Sequence, residues 1–548
     1  MLQAILVGVA CVVVAAYGVD RFFAFRDDPR EPRRISPKIP IIGHVLGFMY
    51  YGFDYIDILS QQTDDEVWSI GVLGFKIYIT HVVRLTNIIQ KTRSLSTKPF
   101  WAIENRIHTG ASEEAHALFP DALGPWLTRS KLALAPGPAI DVISLRMAEE
   151  SNREVSALLR QGETGLLGWA KHVAVQVTSI AMFGTQHPFR DPELVDAMWT
   201  WDEYRPYHQV GADVLGTGLR ARAKVGKAFQ EYFRNMPDDV SLIIRERQET
   251  LREAGLAEPD IAKMQAFFSD TYHNILPQLF WTLYEAFSRP ALLAAIRQEI
   301  LSNAVVRHDG AEANDNKANA PRVLDLAALK MSCPLLLATF QETQRHRHAR
   351  SASRFVTEDT LLDGRFLLKK GHYLQMPVQS VHMDASLWGP NAAAFDPYRF
   401  LPPPAAAKSS VDEKAAAAAG TTEGGGGYTN SSGKIRPNSF LPWGTAPYTC
   451  PGRQFASTEV LVVAALLVLQ ADLTPVAAKG ALWPTPRGAG SATRRRARSR
   501  RPPYRGRSGR CGSASRRERA RDGGGSRWGR VVRESHWRRV ELATDGRA

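Results

Sequence analysis

Three long apolar runs stand out along the chain, and each predicts a different kind of helix. Residues 1–19 contain no charged side chain, and as a helix they would rise about 28 Å, close to the roughly 30 Å hydrocarbon layer of a membrane. Residues 264–287 are mostly apolar with Pro277 in the interior, which predicts a long central helix with a local opening. Residues 455–469 are apolar on every side after Glu459, which predicts a helix buried in a core.

The segments between these runs combine short β patterns with longer helical ones. Residues 67–72 and 75–80 are rich in β-branched and aromatic residues and flank a Gly-containing turn, which predicts a hairpin. Residues 138–261 are mainly helical in pattern, with breaks at 188–190 and 206–218. We therefore expect a mainly α fold with a small β region.

The low-complexity segments and the charge distribution set the domain boundaries. Residues 402–433 are dominated by Ala, Gly and Ser and predict a disordered insertion. The formal net charge is +14, but residues 487–548 hold 20 Arg against 5 acidic residues, which leaves 49 basic and 50 acidic residues elsewhere. The basicity belongs to an Arg/Gly-rich tail, 476–548, that we expect to be disordered, so nucleic acid is not an expected partner of the main domain, residues 44–475. The composition of the tail is compatible with binding to RNA or acidic membranes, but it fits translation of a shifted reading frame or a retained intron better.

The first apolar run, residues 1–19, is followed by a basic, proline-rich stretch. Six basic residues lie between residues 20 and 43, and apart from the N-terminal amine none precedes the run. Basic residues favour the cytosolic side of a membrane, so this pattern predicts a single-pass transmembrane anchor, a stiff hinge at 20–43 and a cytosolic domain after it. A cleaved signal peptide is the alternative, because small residues stand at Ala15 and Ala16, but no basic segment precedes the run.

The candidate chemistry centres on one cysteine. The four cysteines are far apart and show no CxxC spacing, so neither a disulfide framework nor a structural zinc site is predicted. Cys450 lies in a loop of turn formers, residues 440–452, directly before the predicted buried helix. At a helix N-terminus the unpaired N–H groups and the dipole favour a thiolate, which is the form that binds iron. An inert core thiol is the alternative for such a cysteine taken alone.

The loop around Cys450 resembles the cysteine loop of the cytochrome P450 superfamily. It departs from the family pattern at two positions, because Ala446 replaces a second glycine and Tyr448 replaces a basic residue. The resemblance implies a cytochrome P450 fold, here preceded by a transmembrane helix, with haem b held through an iron bond to the Cys450 thiolate. The positions that match the pattern are Trp443, Gly444, Cys450 and Gly452.

Two further motifs occur in the order that the family shows. Glu342-x-x-Arg345, on a predicted helix, is followed by Phe-Asp-Pro-Tyr-Arg-Phe at residues 395–400, which carries Arg399. The resemblance implies that these three charged residues form a buried structural network and that Arg354 binds a haem propionate. Two opposite charges three residues apart on a helix more often form a solvated pair, which is the alternative for Glu342 and Arg345.

The central helix carries the candidates for the oxygen-binding side. The Asn-x-x-Pro-x-x-Phe-Trp sequence of residues 274–281 resembles the branch of the family that contains sterol 7-hydroxylases and prostacyclin synthase. Most members place an acid followed by a threonine at this opening, and the resemblance implies that Asn274 stands there instead. Asp270 and Thr271, one turn earlier, are the competing assignment.

The resemblance implies a microsomal haem-thiolate monooxygenase that hydroxylates a small apolar substrate with O₂. Its electrons would come from an NADPH-dependent flavoprotein reductase, and its other partner would be membrane lipid, with the catalytic domain on the cytosolic side of the endoplasmic reticulum. A steroid-like compound, another lipid or a secondary metabolite is the expected substrate. Two alternatives stay open: a haem-thiolate isomerase or dehydratase that uses no O₂, suggested by Asn274, and a non-catalytic remnant, suggested by Ala446 and Tyr448.

Overall fold

The computed structural model describes most of the chain between residues 27 and 475 and two short segments near the C-terminus. The predicted anchor at 1–19 and the predicted insertion at 402–433 lie outside the described residues. The described residues are 27–37, 39, 42–52, 54–72, 74–161, 164–209, 211–267, 270–307, 322–347, 351–401, 437–475, 528–533 and 537–541.

Helices make up most of the described structure, as the sequence predicts. Short 3₁₀ helices lie at Pro188–Arg190 and Pro397–Phe400. The α-helices in chain order are α1 Gly43–Tyr51, α2 Asp54–Ser60, α3 Val83–Lys91, α4 Lys98–His108, α5 Glu113–Ala133, α6 Pro138–Gln161, α7 Leu166–Phe183, α8 Pro192–Gln209, α9 Thr217–Arg234, α10 Leu242–Glu253, α11 Glu258–Ala266, α12 Asp270–Phe287, α13 Pro290–Asn303, α14 Leu326–Met331, α15 Pro334–Arg347, α16 Val378–His382, α17 Ala385–Trp388 and α18 Arg453–Gln470.

The strands form small sheets beside the helices. They are β1 Arg33–Arg34, β2 Trp68–Val72, β3 Phe75–Ile79, β4 Leu95–Ser96, β5 Val305–Arg307, β6 Arg322–Asp325, β7 Ser351–Val356, β8 Thr360–Leu362, β9 Phe366–Leu368, β10 Tyr373–Pro377, β11 Ala471–Pro475, β12 Trp528–Arg533 and β13 Trp537–Glu541. The largest sheet has the order β1-β2-β3-β10-β7-β4. The predicted hairpin is confirmed, because β2 and β3 pair antiparallel and place Val72 opposite Phe75. In the same sheet β10 pairs antiparallel with β7, and Leu374 lies opposite Arg354.

The main core lies where α7, α12, α15 and α18 pack together. The prediction of a buried helix at 455–469 is confirmed, since every α18 residue from Thr458 to Gln470 is buried. By length and composition α18 is the one helix among the described residues that could cross a membrane. Here it is a core helix, and its apolar sides contact other helices rather than lipid.

The long apolar run at 264–287 forms two helices rather than the single one predicted. Helix α11 ends at Ala266 and α12 begins at Asp270. The sequence supplies a reason, because Ser269 directly precedes α12 and serine is favoured immediately before a helix. Pro277 lies inside α12, and the predicted break at 206–218 begins later than expected, because α8 continues to Gln209.

The end of the chain pairs with the main domain through backbone contacts. Strand β12 pairs antiparallel with β11, and β13 pairs parallel with β6. Both strands lie within residues 476–548, which the sequence predicts to be disordered. The other residues of that tail lie outside the described part of the chain, so their disorder stays a prediction.

A buried carboxyl group lies in the middle of this core. Glu459 on α18 is fully buried and accepts hydrogen bonds from the Thr178 hydroxyl at 2.8 and 3.0 Å. Burial raises the pKa of Glu459 to about 8, and the Thr178 hydroxyl opposes that shift. The folded protein therefore holds this carboxyl neutral at neutral pH.

Because of this buried carboxyl group, we expect the free energy of unfolding to fall as pH rises. The pKa of Glu459 in the folded protein lies above the ordinary value of 4.5. The contribution of Glu459 to the free energy of unfolding is therefore complete below pH 4.5. It is lost as pH rises towards the folded pKa, by about 1.4 kcal/mol per pH unit. Glu459→Gln should flatten this dependence and stabilise the protein above neutral pH. The measurement is the unfolding midpoint between acid and alkaline pH, with exposed Glu203 replaced by Gln as the control. Equal pH profiles for wild type and Glu459→Gln would contradict the prediction.

Candidate active site

The loop that carries Cys450 folds back on itself through backbone hydrogen bonds. The amide of Cys450 donates to the Trp443 carbonyl at 2.9 Å, and the amide of Tyr448 donates to the Thr445 carbonyl at 3.1 Å. Gly444 has a φ of +81°, a conformation that glycine adopts at little cost. These contacts fix the position of Cys450 just before α18, as the sequence predicts.

Several neighbouring groups shift the pKa of the Cys450 thiol in opposite directions. The residue is half-buried, and burial is the largest effect and raises the pKa of the thiol. The Gly452 N–H and the Arg453 guanidinium act in the opposite direction, in the way expected near a helix N-terminus. The sequence prediction that the helix end favours the thiolate therefore describes the weaker influence, and a cation bound at the sulfur would be needed to reverse the balance.

The two departures from the family pattern are accommodated in different ways. Ala446 is exposed and its φ is not positive, so a residue with a β-carbon fits this position without backbone strain. The Tyr448 hydroxyl lies 3.1 Å from the Ser96 hydroxyl, and the Arg354 guanidinium lies over the Tyr448 ring at 5.1 Å. Tyr448 thus makes specific contacts in place of the expected basic side chain.

Arg354 extends from β7 to the same loop. Its Nη2 donates to the Thr445 and Ala446 carbonyls, each at 3.2 Å, and also to the Thr445 hydroxyl. The side chain is 3% exposed, and burial lowers the pKa of Arg354 to about 10. Its Nε is buried and has no hydrogen-bond partner among the described residues.

These residues fit a haem group. A buried guanidinium with an unsatisfied Nε is a suitable partner for a carboxylate such as a haem propionate. The Cys450 sulfur supplies the soft anionic ligand that iron accepts. Thr445 contacts Arg354 and belongs to the Cys450 loop, so a single loop connects the two groups.

The predicted charged network is brought together in the structure. Glu342 and Arg345 form a two-point ion pair, with both nitrogen–oxygen distances at 2.7 Å and neither side chain exposed. Arg399 adds a third contact, from its Nε to Glu342 at 3.1 Å. The backbone amide of Asp396 donates to the same carboxylate at 2.8 Å. Glu342 and Arg345 are therefore buried, not a solvated pair.

His382 connects this network to the cysteine loop, although it belongs to none of the motifs found in the sequence. Nη1 of Arg345 donates to the His382 carbonyl at 2.6 Å. The Nε2 atom of His382 accepts from the backbone amide of Leu441 at 2.9 Å, at the start of the loop. The signal in the sequence is the position of this histidine between the Glu342-x-x-Arg345 motif and the motif at residues 395–400.

The oxygen-side candidates lie on α12. Asn274 is exposed and Thr271 is half-buried, whereas the side chain of Asp270 is not described. The buried side of α12 includes Tyr272, Ile275, Leu276, Leu279 and Leu283, and it packs against α18, the helix that follows Cys450. Asn274 therefore lies on the less buried side of the helix.

Comparisons with known proteins agree with this arrangement. The family described as Cytochrome P450 matches residues 239–481. The cytochrome P450 monooxygenase nodJ of Hypoxylon pulicicidum is 31% identical over 462 residues, which cover 82% of this chain and 84% of that protein. The 5-beta-cholestane-3-alpha,7-alpha-diol 12-alpha-hydroxylase of Sus scrofa is 22% identical, with 85% of this chain and 91% of that protein covered.

A solved structure shows the same fold. The crystal structure of the cytochrome P450DA heme domain aligns with a TM-score of 0.57 at 15% identity, and the alignment covers 81% of this chain and 93% of that chain. Homologues of the chain are monooxygenases by name, and the cofactor of the family is haem b with its iron bound by a cysteine thiolate. The chain belongs to the cytochrome P450 family of oxygen-incorporating oxidoreductases.

Proposed function

We propose that this protein hydroxylates a small apolar substrate, using O₂ and electrons from an NADPH-dependent flavoprotein reductase. The observation that carries the proposal is the Cys450 loop, which carries the half-buried thiol and binds the buried Arg354 guanidinium through Thr445. The pig relative is named for a cholestane diol, which supports a polycyclic lipid such as a steroid-like compound. Other lipids and secondary metabolites share the required apolar character.

The residues of the loop take distinct roles in this proposal. Haem bound at Cys450 would supply the activation of O₂, which protein side chains do not provide. Arg354 would orient the group by pairing with a propionate, and the unsatisfied Nε supports that role. Trp443, Gly444 and Gly452 would shape the loop around the sulfur ligand.

Helix α12 would provide the residues that contact O₂, whereas the Cys450 loop would provide the iron ligand. Asn274 is our first candidate, because it is exposed on a helix that otherwise packs into the core. Its amide can donate and accept hydrogen bonds, so it can orient a water molecule as well as O₂. Asp270 and Thr271 remain the competing pair, one turn earlier on the same helix.

We propose that the protein works at the endoplasmic reticulum membrane as a single-pass protein with a cytosolic catalytic domain. The exposed apolar residues of α1 and of the α8–α9 connection support membrane contact beyond the predicted anchor. Met49 is 77% exposed, and Val214 and Leu215 are 90% and 79% exposed. Transfer of such apolar side chains from water to lipid is favourable.

Acidic substitutions in the α8–α9 connection should weaken membrane binding. In protein that begins at residue 27, Val214→Asp with Leu215→Asp should lower partitioning onto lipid vesicles by about tenfold or more, because two apolar contacts are lost. Vesicle flotation measures the effect. Met331→Asp on α14 is the control, since Met331 is 85% exposed. Equal losses in both variants would argue against a specific lipid contact.

The proposed function is tested with purified protein, haemin and a flavoprotein reductase. The reduced, CO-bound protein should show the absorption band that is diagnostic of thiolate ligation. A panel of steroids and terpenoids should then yield hydroxylated product only with NADPH, and heavy-isotope O₂ should label that product. Turnover of a hydroperoxide without NADPH would instead favour the isomerase or dehydratase alternative, and absence of the band would favour the remnant.

A further inference from the structure

A series of contacts joins the cysteine loop to α4, α8 and α12. It begins at the cysteine loop, where Tyr448 contacts Ser96 through their hydroxyl groups at 3.1 Å. Ser96 also accepts from the amide of Lys98 at 3.2 Å, and Lys98 is the first residue of α4. Helix α4 therefore begins beside the cysteine loop.

The other end of α4 contacts α8. Glu104 on α4 lies 3.7 Å from the Arg205 guanidinium on α8. On the same helix Asp202 lies 3.4 Å from Arg205 and 3.0 Å from Nδ1 of His273. His273 belongs to α12, which packs against α18 and so returns to the residues after Cys450. The cysteine loop, α4, α8 and α12 thus form a closed ring, in which α8 lies opposite the loop.

The side of the ring where α4 meets α8 is ionic, which is unusual beside a site for an apolar substrate. Glu104, Asp202 and Arg205 contribute two carboxylates and one guanidinium. This excess of negative charge disfavours an anionic ligand and favours a group that donates hydrogen bonds. The ionic side therefore discriminates between polar groups on an otherwise apolar molecule.

The ring tautomer of His273 indicates which group it recognises. An ionised carboxylate only accepts hydrogen bonds, so Nδ1 of His273 must be the donor to Asp202. In the neutral ring this leaves Nε2 as an acceptor. The side chain of His273 is 40% exposed, so a ligand can reach the ring.

We propose that His273, oriented by Asp202, accepts a hydrogen bond from a hydroxyl group of the substrate, at the end away from the reacting carbon. The site would then prefer apolar alcohols to the matching hydrocarbons and carboxylic acids. This inference rests on the proposed function, because it assigns the chemical class of the substrate for that same site. Asp202 is a positioning residue that acts through His273.

The test compares matched ligands on two rigid scaffolds. The probes are 1-adamantanol, adamantane and adamantane-1-carboxylic acid, with the corresponding 3-substituted androstanes as the larger set. Binding is titrated on the haem-loaded protein by the change in haem absorption, and independently by quenching of tryptophan fluorescence. The wild type should bind at least one alcohol about tenfold more tightly than its hydrocarbon and its acid, as one hydrogen bond allows.

The variants identify the residue responsible. His273→Phe and Asp202→Asn should lose the preference for the alcohol, and His273→Gln, whose amide oxygen accepts hydrogen bonds, should retain part of it. The control is Glu193→Gln on the same helix, which neutralises an exposed carboxylate paired with Lys224 and should keep the full preference. Wild type that shows no preference on either scaffold, or a preference that persists in His273→Phe, overturns the proposal. The CO-bound band is recorded for every variant, so its loss reports failure of the haem assignment separately.

Discussion

Replacing Arg345 with alanine should lower the free energy of unfolding by about 3–5 kcal/mol, because it leaves a buried carboxylate without its main partner. Arg345 makes a two-point contact with Glu342 and also donates to the His382 and Ala392 carbonyls at 2.6 and 2.7 Å. Burial pushes the pKa of Glu342 upward, and the Arg345 and Arg399 guanidinium groups oppose it. Removal of Arg345 therefore takes the donor from both carbonyls and leaves the carboxylate with the Arg399 guanidinium and the Asp396 amide.

A second ion pair in the same chain provides a matched control for Arg345. Arg252 and Glu249 have the same three-residue spacing on α10, but their side chains are 45% and 51% exposed. Arg252→Ala should therefore change stability by at most about 0.5 kcal/mol, since water replaces the lost contact. Chemical denaturation of both variants measures the difference. Similar losses in the two variants would show that burial of the Glu342–Arg345 pair has no energetic consequence.

A triple substitution separates the value of the charged network from the penalty of breaking it. Replacing Glu342, Arg345 and Arg399 together by leucine removes all three buried charges, so it should cost less than Arg345→Ala alone in unfolding free energy. The carbonyls of His382 and Ala392 would still lose their donor. A triple variant no more stable than Arg345→Ala would indicate that these carbonyl contacts, more than the charged network, hold the region together.

Local sequence patterns were sufficient to predict the elements whose hydrophobic pattern is compatible with only one structure. Helix α18 is apolar on every side, so its burial could be predicted without knowing its neighbours. The β2–β3 hairpin was equally local, because its turn and both strands lie within a dozen residues. The division between α11 and α12 was missed, because an apolar run gives a weak signal for a break within it.

The contacts that build the site join residues too far apart for such patterns. By itself the spacing of Glu342 and Arg345 favours a solvated pair, and only the tertiary structure buries it. Tyr448 and Ser96 are 352 residues apart, and no local rule relates a departure from the cysteine-loop pattern to a serine on β4. The pairing of His273 with Asp202 across two helices is invisible for the same reason. The family resemblance indicated which residues matter, and the structure shows what they contact.

Replacing Cys450 with serine should abolish the CO-bound band of thiolate ligation and lower product formation by at least about a thousandfold. That loss corresponds to roughly 4 kcal/mol of transition-state stabilisation. A serine hydroxyl keeps the size of the side chain but does not ionise at neutral pH, so it could not supply the electron-donating thiolate that would bind the haem iron. Thermal unfolding of the haem-free protein should change little, which separates loss of the ligand from loss of the fold.

Cys333→Ala is the control for this substitution. Cys333 is buried, and burial raises its pKa to about 12, so it stays a thiol at neutral pH and should not bind iron; its replacement should leave the band intact. Cys11 and Cys511 belong to the predicted anchor and tail. A band that persisted in Cys450→Ser would require one of these sulfurs to bind iron, and adding Cys11→Ser and Cys511→Ser in turn would identify it. Loss of the band in Cys450→Ser, with the band unchanged in Cys333→Ala, leaves the loop before α18 as the source of the ligand.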